Sequence, residues 1–203
     1  MASFQILSDL HLVHNNYSNY RIVPAAPYLA LIGDIGCVKD PGYIGFLKNL
    51  LDQFRIVFCV LGNHEPYEVN RNERKENPQS PVGEFVFMYQ GEYQIPDSNI
   101  TVLGCTLFSD VPSSKMTPVS NGLDDFREID GWTVEEDCQL HKEDLKWLND
   151  RVNSVPTDSD RRIVIFTYHS PTEDTRAVEP CYAQRRQIWF PNGLAGRSLL
   201  EEP

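Results

Sequence analysis

A chain of 203 residues, 41% hydrophobic and 23% charged, is long enough for one domain with a real core. A formal net charge of -11 argues against a nucleic-acid partner held in a basic groove. It leaves a phosphate ligand open, because bound cations reverse the sign of a local site.

No apolar run approaches the roughly 20 residues of a membrane span, and the residues after Met1 read as a strand rather than as a signal peptide. Five cysteines (Cys37, Cys59, Cys105, Cys138, Cys181) lack CxxC spacing. A cytoplasmic protein with reduced thiols and no membrane partner is expected.

Phe4–Leu7 reads as a short buried strand that runs into Ser8-Asp9-Leu10-His11. In an extended backbone Asp9 and His11 point to the same side, an oxygen and a nitrogen donor at a strand end. His14 follows in a polar loop and is assigned as a solvated surface histidine. Tyr28–Ile32 is a near-continuous apolar strand that ends in Gly33-Asp34-Ile35-Gly36. Asp40 as N-cap and Pro41 at the first helical position open a helix, with Ile44, Leu47, Leu50, Leu51 and Phe54 on its apolar face.

Arg55–Leu61 is the third strand and ends in Gly62-Asn63-His64-Glu65. The strand–helix–strand order predicts a βαβ unit with parallel pairing. The charged segment 66–81 is read as a solvated loop that can wall a cleft. Residues 83–93 are expected to be helical, with Phe85, Met88 and Tyr89 inward. Asn99–Gly104 and Cys105–Phe108 are expected strands of a second sheet. A surface turn is expected at Asp110.

Thr133-Val134-Glu135-Glu136 is a capping box. It opens a helix with Leu145, Leu148, Val152 and Val155 at core spacing. His141, on that face, is read as a core histidine. Arg162–Tyr168 is a further buried strand, ending in His169.

Asp9, His11, Asp34, Asn63, His64 and His169 thus stand at strand ends, where open α/β sheets place their sites. Mixed oxygen and nitrogen donors suit two divalent ions about 3.5–4 Å apart, with a carboxylate such as Asp34 as the shared bridge.

D-x-H, then G-D, then G-N-H-E, then a strand ending in H resembles the calcineurin-like metallophosphoesterase family. The resemblance implies an α/β two-sheet sandwich (αββα) with mixed sheets. It implies hydrolysis of phosphoric esters by a two-metal centre with a metal-bound hydroxide, the ions being Mn, Fe or Zn. By the same resemblance Asp9 and His11 hold the first metal, Asp34 bridges, and Asn63 and His169 hold the second. His64 is the catalytic residue at the phosphoryl group, and no other cofactor is implied. The substrate is a phosphoester small molecule or a phosphoprotein.

The sequence departs from the family in lacking a G-H-x-H motif: it holds five histidines, the last being His169. The expected domain therefore spans 1–183 and lacks its C-terminal strands. Residues 184–203 form an atypical tail, read as a shifted reading frame. The alternative function is a catalytically weak or inactive relative that binds metal or a partner.

Overall fold

A computed structural model of the chain describes residues 2–12, 17–65, 78–156 and 160–172. His14, most of the charged 66–81 segment and the tail from Gln184 lie outside the described residues, as do any strands beyond residue 172. The chain divides into two compact units: residues 1–106 with 155–168, and residues 107–154 with 169–203.

The first unit holds both sheets. Strands β1 (Phe4–Leu7), β2 (Tyr28–Ile32), β3 (Ile56–Val60) and β4 (Glu84–Phe87) lie side by side in that order, all parallel. Leu7 pairs with Leu31, and Ile32 with Val60. The register therefore brings the carboxyl ends of β1, β2 and β3 to one edge, and their following turns with them.

Helix α1 (Pro41–Leu51) is the crossover between β2 and β3. Asp40 caps it by accepting the Gly42 N–H at 2.9 Å. It buries Phe46, Leu47, Leu50 and Leu51 against Leu29, Leu31 and Val57.

The second sheet has order β5-β6-β7: β5 (Gly91–Gln94), β6 (Ile100–Cys105) and β7 (Arg162–Thr167). β5 runs antiparallel to β6, whereas β6 and β7 are parallel. This sheet is mixed, as expected; the first, among the described strands, is wholly parallel. Phe58, Val60, Met88, Val102 and Phe166 share one core cluster. Phe58 is fully buried and meets Phe4, Tyr93 and Phe166 with ring centroids 5.5–6.1 Å apart. Burying one such side chain contributes roughly 1.5–3 kcal/mol.

The helix expected over 83–93 is not formed. Glu-Phe-Val-Phe is an aromatic and β-branched run that pairs with β3, and the chain then turns through Met88-Tyr89-Gln90 into β5. Gln90 takes a left-handed φ of 48° in that turn, which a helix excludes. Met88 is buried as expected, whereas Tyr89 is 55% exposed. Of the expected second-sheet strands, the one over Asn99–Gly104 forms and ends at Cys105; residues 106–108 are not strand.

The second unit contains a 3₁₀ turn (Ser113–Lys115) and helices α2 (Met116–Gly122), α3 (Asp125–Glu128) and α4 (Val134–Asn153). Thr133 caps α4 by accepting the Glu136 N–H at 3.1 Å. Its core comprises Val111, Val119, Val134 and Cys138.

One face of α4 binds the backbone of residues 107–111. Asp144 accepts the Leu107 N–H at 2.8 Å, and Asp137 accepts the Ser109 N–H at 2.9 Å. His141 is buried with Nδ1 3.2 Å from the carbonyls of Leu107 and Phe108. It is a structural histidine. Val152, expected in the core, is exposed: polar clamping near the middle of α4 sets the inward face instead.

Candidate metal centre

The site is built by the turns after β1, β2 and β3. Asp9 (φ 54°), His11 (φ 46°) and Asp34 (φ 54°) all adopt left-handed backbone. Non-glycine residues rarely enter this region, and Asp and His are enriched among those that do. The expectation that Asp9 and His11 share a side of an extended strand is therefore corrected. Cross-turn hydrogen bonds hold the bend: Asp9 N–H donates to Gly33 O (3.1 Å) and His11 N–H to Asp34 O (2.9 Å).

Asp34 is the hub, with a side chain only 3% exposed. Its Oδ1 accepts the His64 backbone N–H at 2.9 Å. Around Oδ2 stand the Tyr168 hydroxyl at 2.7 Å, His64 Nε2 at 3.7 Å and His11 Nε2 at 3.9 Å. The two imidazoles meet edge to face with centroids 4.7 Å apart, and both are about half exposed. One donor atom from each of His11, Asp34 and His64 lies within 4.8 Å of the others.

Two glycines permit this closeness. A Cβ on Gly62 would stand 2.2 Å from Asp34 Oδ1, and one on Gly33 would stand 2.1 Å from the Tyr168 ring. Gly33 also carries a left-handed φ of 74°.

Asn63 meets the hub through Tyr168, whose hydroxyl oxygen is 2.6 Å from Asn63 Oδ1. Burial holds the Tyr168 phenol far above its ordinary pKa, and the hydrogen bond to Asp34 and the Asp34 charge push the same way. The phenol is thus protonated and donates.

Glu65 is buried beneath the site. It accepts the N–H groups of Ile35 (2.7 Å), Gly62 (2.8 Å) and Asp34 (3.0 Å). Burial raises its pKa, the Asp34 charge adds to that, and the three backbone donors oppose it.

Asp9 is exposed at the end of β1 and is not one of the three clustered donors. His169 opens the second unit's final segment, its ring 6.5 Å from that of Phe108. Burial lowers its pKa to about 4, with Asp125 opposing and His141 reinforcing the shift.

Tyr168 and Glu65 join this site without a role assigned from the sequence. Glu65 carried a signal, as the fourth residue of Gly-Asn-His-Glu. Tyr168 looked only like the last apolar residue of a strand.

A carboxylate oxygen beside imidazole nitrogens is a donor set for borderline divalent ions such as Zn, Fe or Mn. Asp34 forms a buried anionic floor and the two half-exposed histidines an open rim, so the residues present fit such an ion.

The sequence profile of the calcineurin-like phosphoesterases matches residues 3–195. The chain belongs to the calcineurin-like phosphoesterase family. Membership makes this phosphoesterase metal-dependent in kind.

It is 27% identical to the uncharacterized protein L509 of Acanthamoeba polyphaga mimivirus, over 90% of this chain and 74% of that protein. Its fold is similar to the crystal structure of the phosphopantetheinyl hydrolase PptH from Mycobacterium tuberculosis. That similarity has a TM-score of 0.62 at 16% identity, over 88% of this chain and 72% of the other. Among the described residues of the phosphoesterase, no helix is long and apolar enough to cross a membrane. Among the described residues, Cys37, Cys59, Cys105 and Cys138 carry no disulfide.

Proposed function

We propose that this phosphoesterase hydrolyses phosphoric esters, of a small molecule or a phosphoprotein, with two divalent ions (Mn, Fe or Zn). In this reading Asp9 and His11 hold one ion, Asp34 bridges, and Asn63 and His169 hold the other. When bound, such ions neutralise phosphoryl charge and lower the pKa of water. His64 Nε2, on the open rim, contacts the phosphoryl group and either stabilises the transition state or protonates the leaving oxygen. Asp34, hydrogen-bonded through both oxygens, keeps its carboxylate oriented beneath both imidazoles.

The observation that carries the reading is the convergence of His11, Asp34 and His64 within 4.8 Å at the ends of three parallel strands.

The test is hydrolysis of p-nitrophenyl phosphate and its bis-ester with added Mn²⁺. Asp34→Asn and His64→Ala should each lower the rate by about 10²-fold or more. Activity that survives both substitutions would overturn the assignment.

The exposure of Asp9 outside the donor trio favours a second reading, a relative that holds metal or a partner without turnover. Metal found by elemental analysis in a protein that turns over neither ester would select it.

A further inference from the structure

Tyr168 is in neither assignment, yet its hydroxyl lies 2.7 Å from Asp34 Oδ2 and 2.6 Å from Asn63 Oδ1. A phenol has one proton, so it donates to one of these oxygens at a time. A turned Asn63 amide, donating from Nδ2 to the phenol oxygen, satisfies the second short contact. The phenol then couples the orientation of Asn63 to that of Asp34.

The ring cannot swing away freely, because it packs where a Gly33 side chain would stand. The carboxylate keeps capacity for metal. Each of its oxygens has two lone-pair sites, and the His64 N–H and the Tyr168 hydroxyl use one on each.

We propose that Tyr168 is a positioning residue of the metal centre, its hydroxyl setting Asp34 and Asn63 as one preorganised pair of oxygen donors. The proposal rests on the reading that Asp34 and Asn63 hold metal. Groups that orient metal ligands typically change metal affinity 10–100-fold when removed.

The experiment is calorimetric titration of the chelator-stripped full chain with Mn²⁺, for wild type, Tyr168→Phe, Asn63→Ala and the double variant. Phe keeps the packing on Gly33 and removes only the hydroxyl. Tyr168→Phe should bind Mn²⁺ roughly 10–100-fold more weakly. The double variant should lose no more than the worse single one, because the two residues act together. Metal-free melting should fall only by the few degrees that one lost hydrogen bond costs, whereas a merely structural role does not predict the accompanying loss of Mn²⁺ affinity.

Wild-type-like affinity in Tyr168→Phe, with wild-type binding intact, overturns the Tyr168 role alone. Losses that multiply in the double variant do the same. A wild type that binds no Mn²⁺ overturns the metal reading itself, and the Tyr168 role with it. Should Tyr168→Phe fail to fold, wild type labelled with [¹³Cζ]tyrosine gives a second readout. Zn²⁺ should shift the Tyr168 signal, and an unmoved signal at saturation overturns the proposal.

Discussion

Glu65 Oε2 accepts the backbone N–H of Asp34 at 3.0 Å, across 31 residues of chain. The same carboxylate holds Ile35 and Gly62, so one buried side chain ties the turn after β2 to the turn after β3. Glu65→Ala leaves three backbone donors without this acceptor. Each buried unsatisfied group costs about 1–3 kcal/mol, so a loss of about 3 kcal/mol or more is expected. Urea unfolding measures it; a loss below about 1 kcal/mol would show that water or backbone replaces the carboxylate.

Gly62→Ala tests the floor of the site from the steric side. The new methyl carbon would stand 2.2 Å from Asp34 Oδ1 and 2.6 Å from the Asp34 nitrogen. Backbone cannot yield as a flexible side chain can, so Asp34 must shift. The expected result is Mn²⁺ affinity down at least about tenfold, with stability lowered as well. Wild-type affinity in a folded Gly62→Ala protein contradicts this.

Phe58 anchors the core between the two sheets, fully buried among Phe4, Tyr93 and Phe166. Phe58→Ala should cost about 3–5 kcal/mol, from lost transfer energy and the cavity left behind. Phe58→Leu, closer in volume, should cost clearly less. Denaturant midpoints for the two variants check the ranking.

Asp137 gives the second unit a pH dependence. Burial raises its pKa from 3.8 to about 7, the Ser109 N–H opposes the shift, Asp125 adds to it, and Trp132 opposes it. A carboxyl whose folded pKa is raised contributes stability below its unfolded pKa and loses it as pH rises through the folded value. The Asp137 contribution is therefore complete near pH 4 and gone above about pH 7. Asp137→Asn does not titrate, so its melting temperature should gain on wild type between pH 4 and pH 8. A difference that stays constant over that range contradicts the prediction.

Much of the fold could be read from local pattern. Continuous apolar runs at Tyr28–Ile32 and Ile56–Val60 marked buried parallel strands, and Asp40-Pro41 and Thr133-x-x-Glu136 marked helix starts. Residues 83–93 misled because Phe85, Met88 and Tyr89 fit a helical period, while Phe85 pairs with Val57 of β3, far back along the chain. Val152 misled for a similar reason: spacing placed it inward, but Asp137, His141 and Asp144 set the buried face of α4 through bonds to another segment.

The sequence by itself determined the chemistry available at the strand ends: Asp9, His11, Asp34, Asn63, His64 and His169, in the order of one family. Residue identity and turn propensity act over a few positions and are legible there. Only the tertiary structure decided which groups meet. It gathered His11, Asp34 and His64, left Asp9 exposed, and bent Asp9 and His11 into left-handed backbone. It also brought in Tyr168, 134 residues from Asp34. Contacts of that separation are made by strand register and chain closure, for which no local pattern exists.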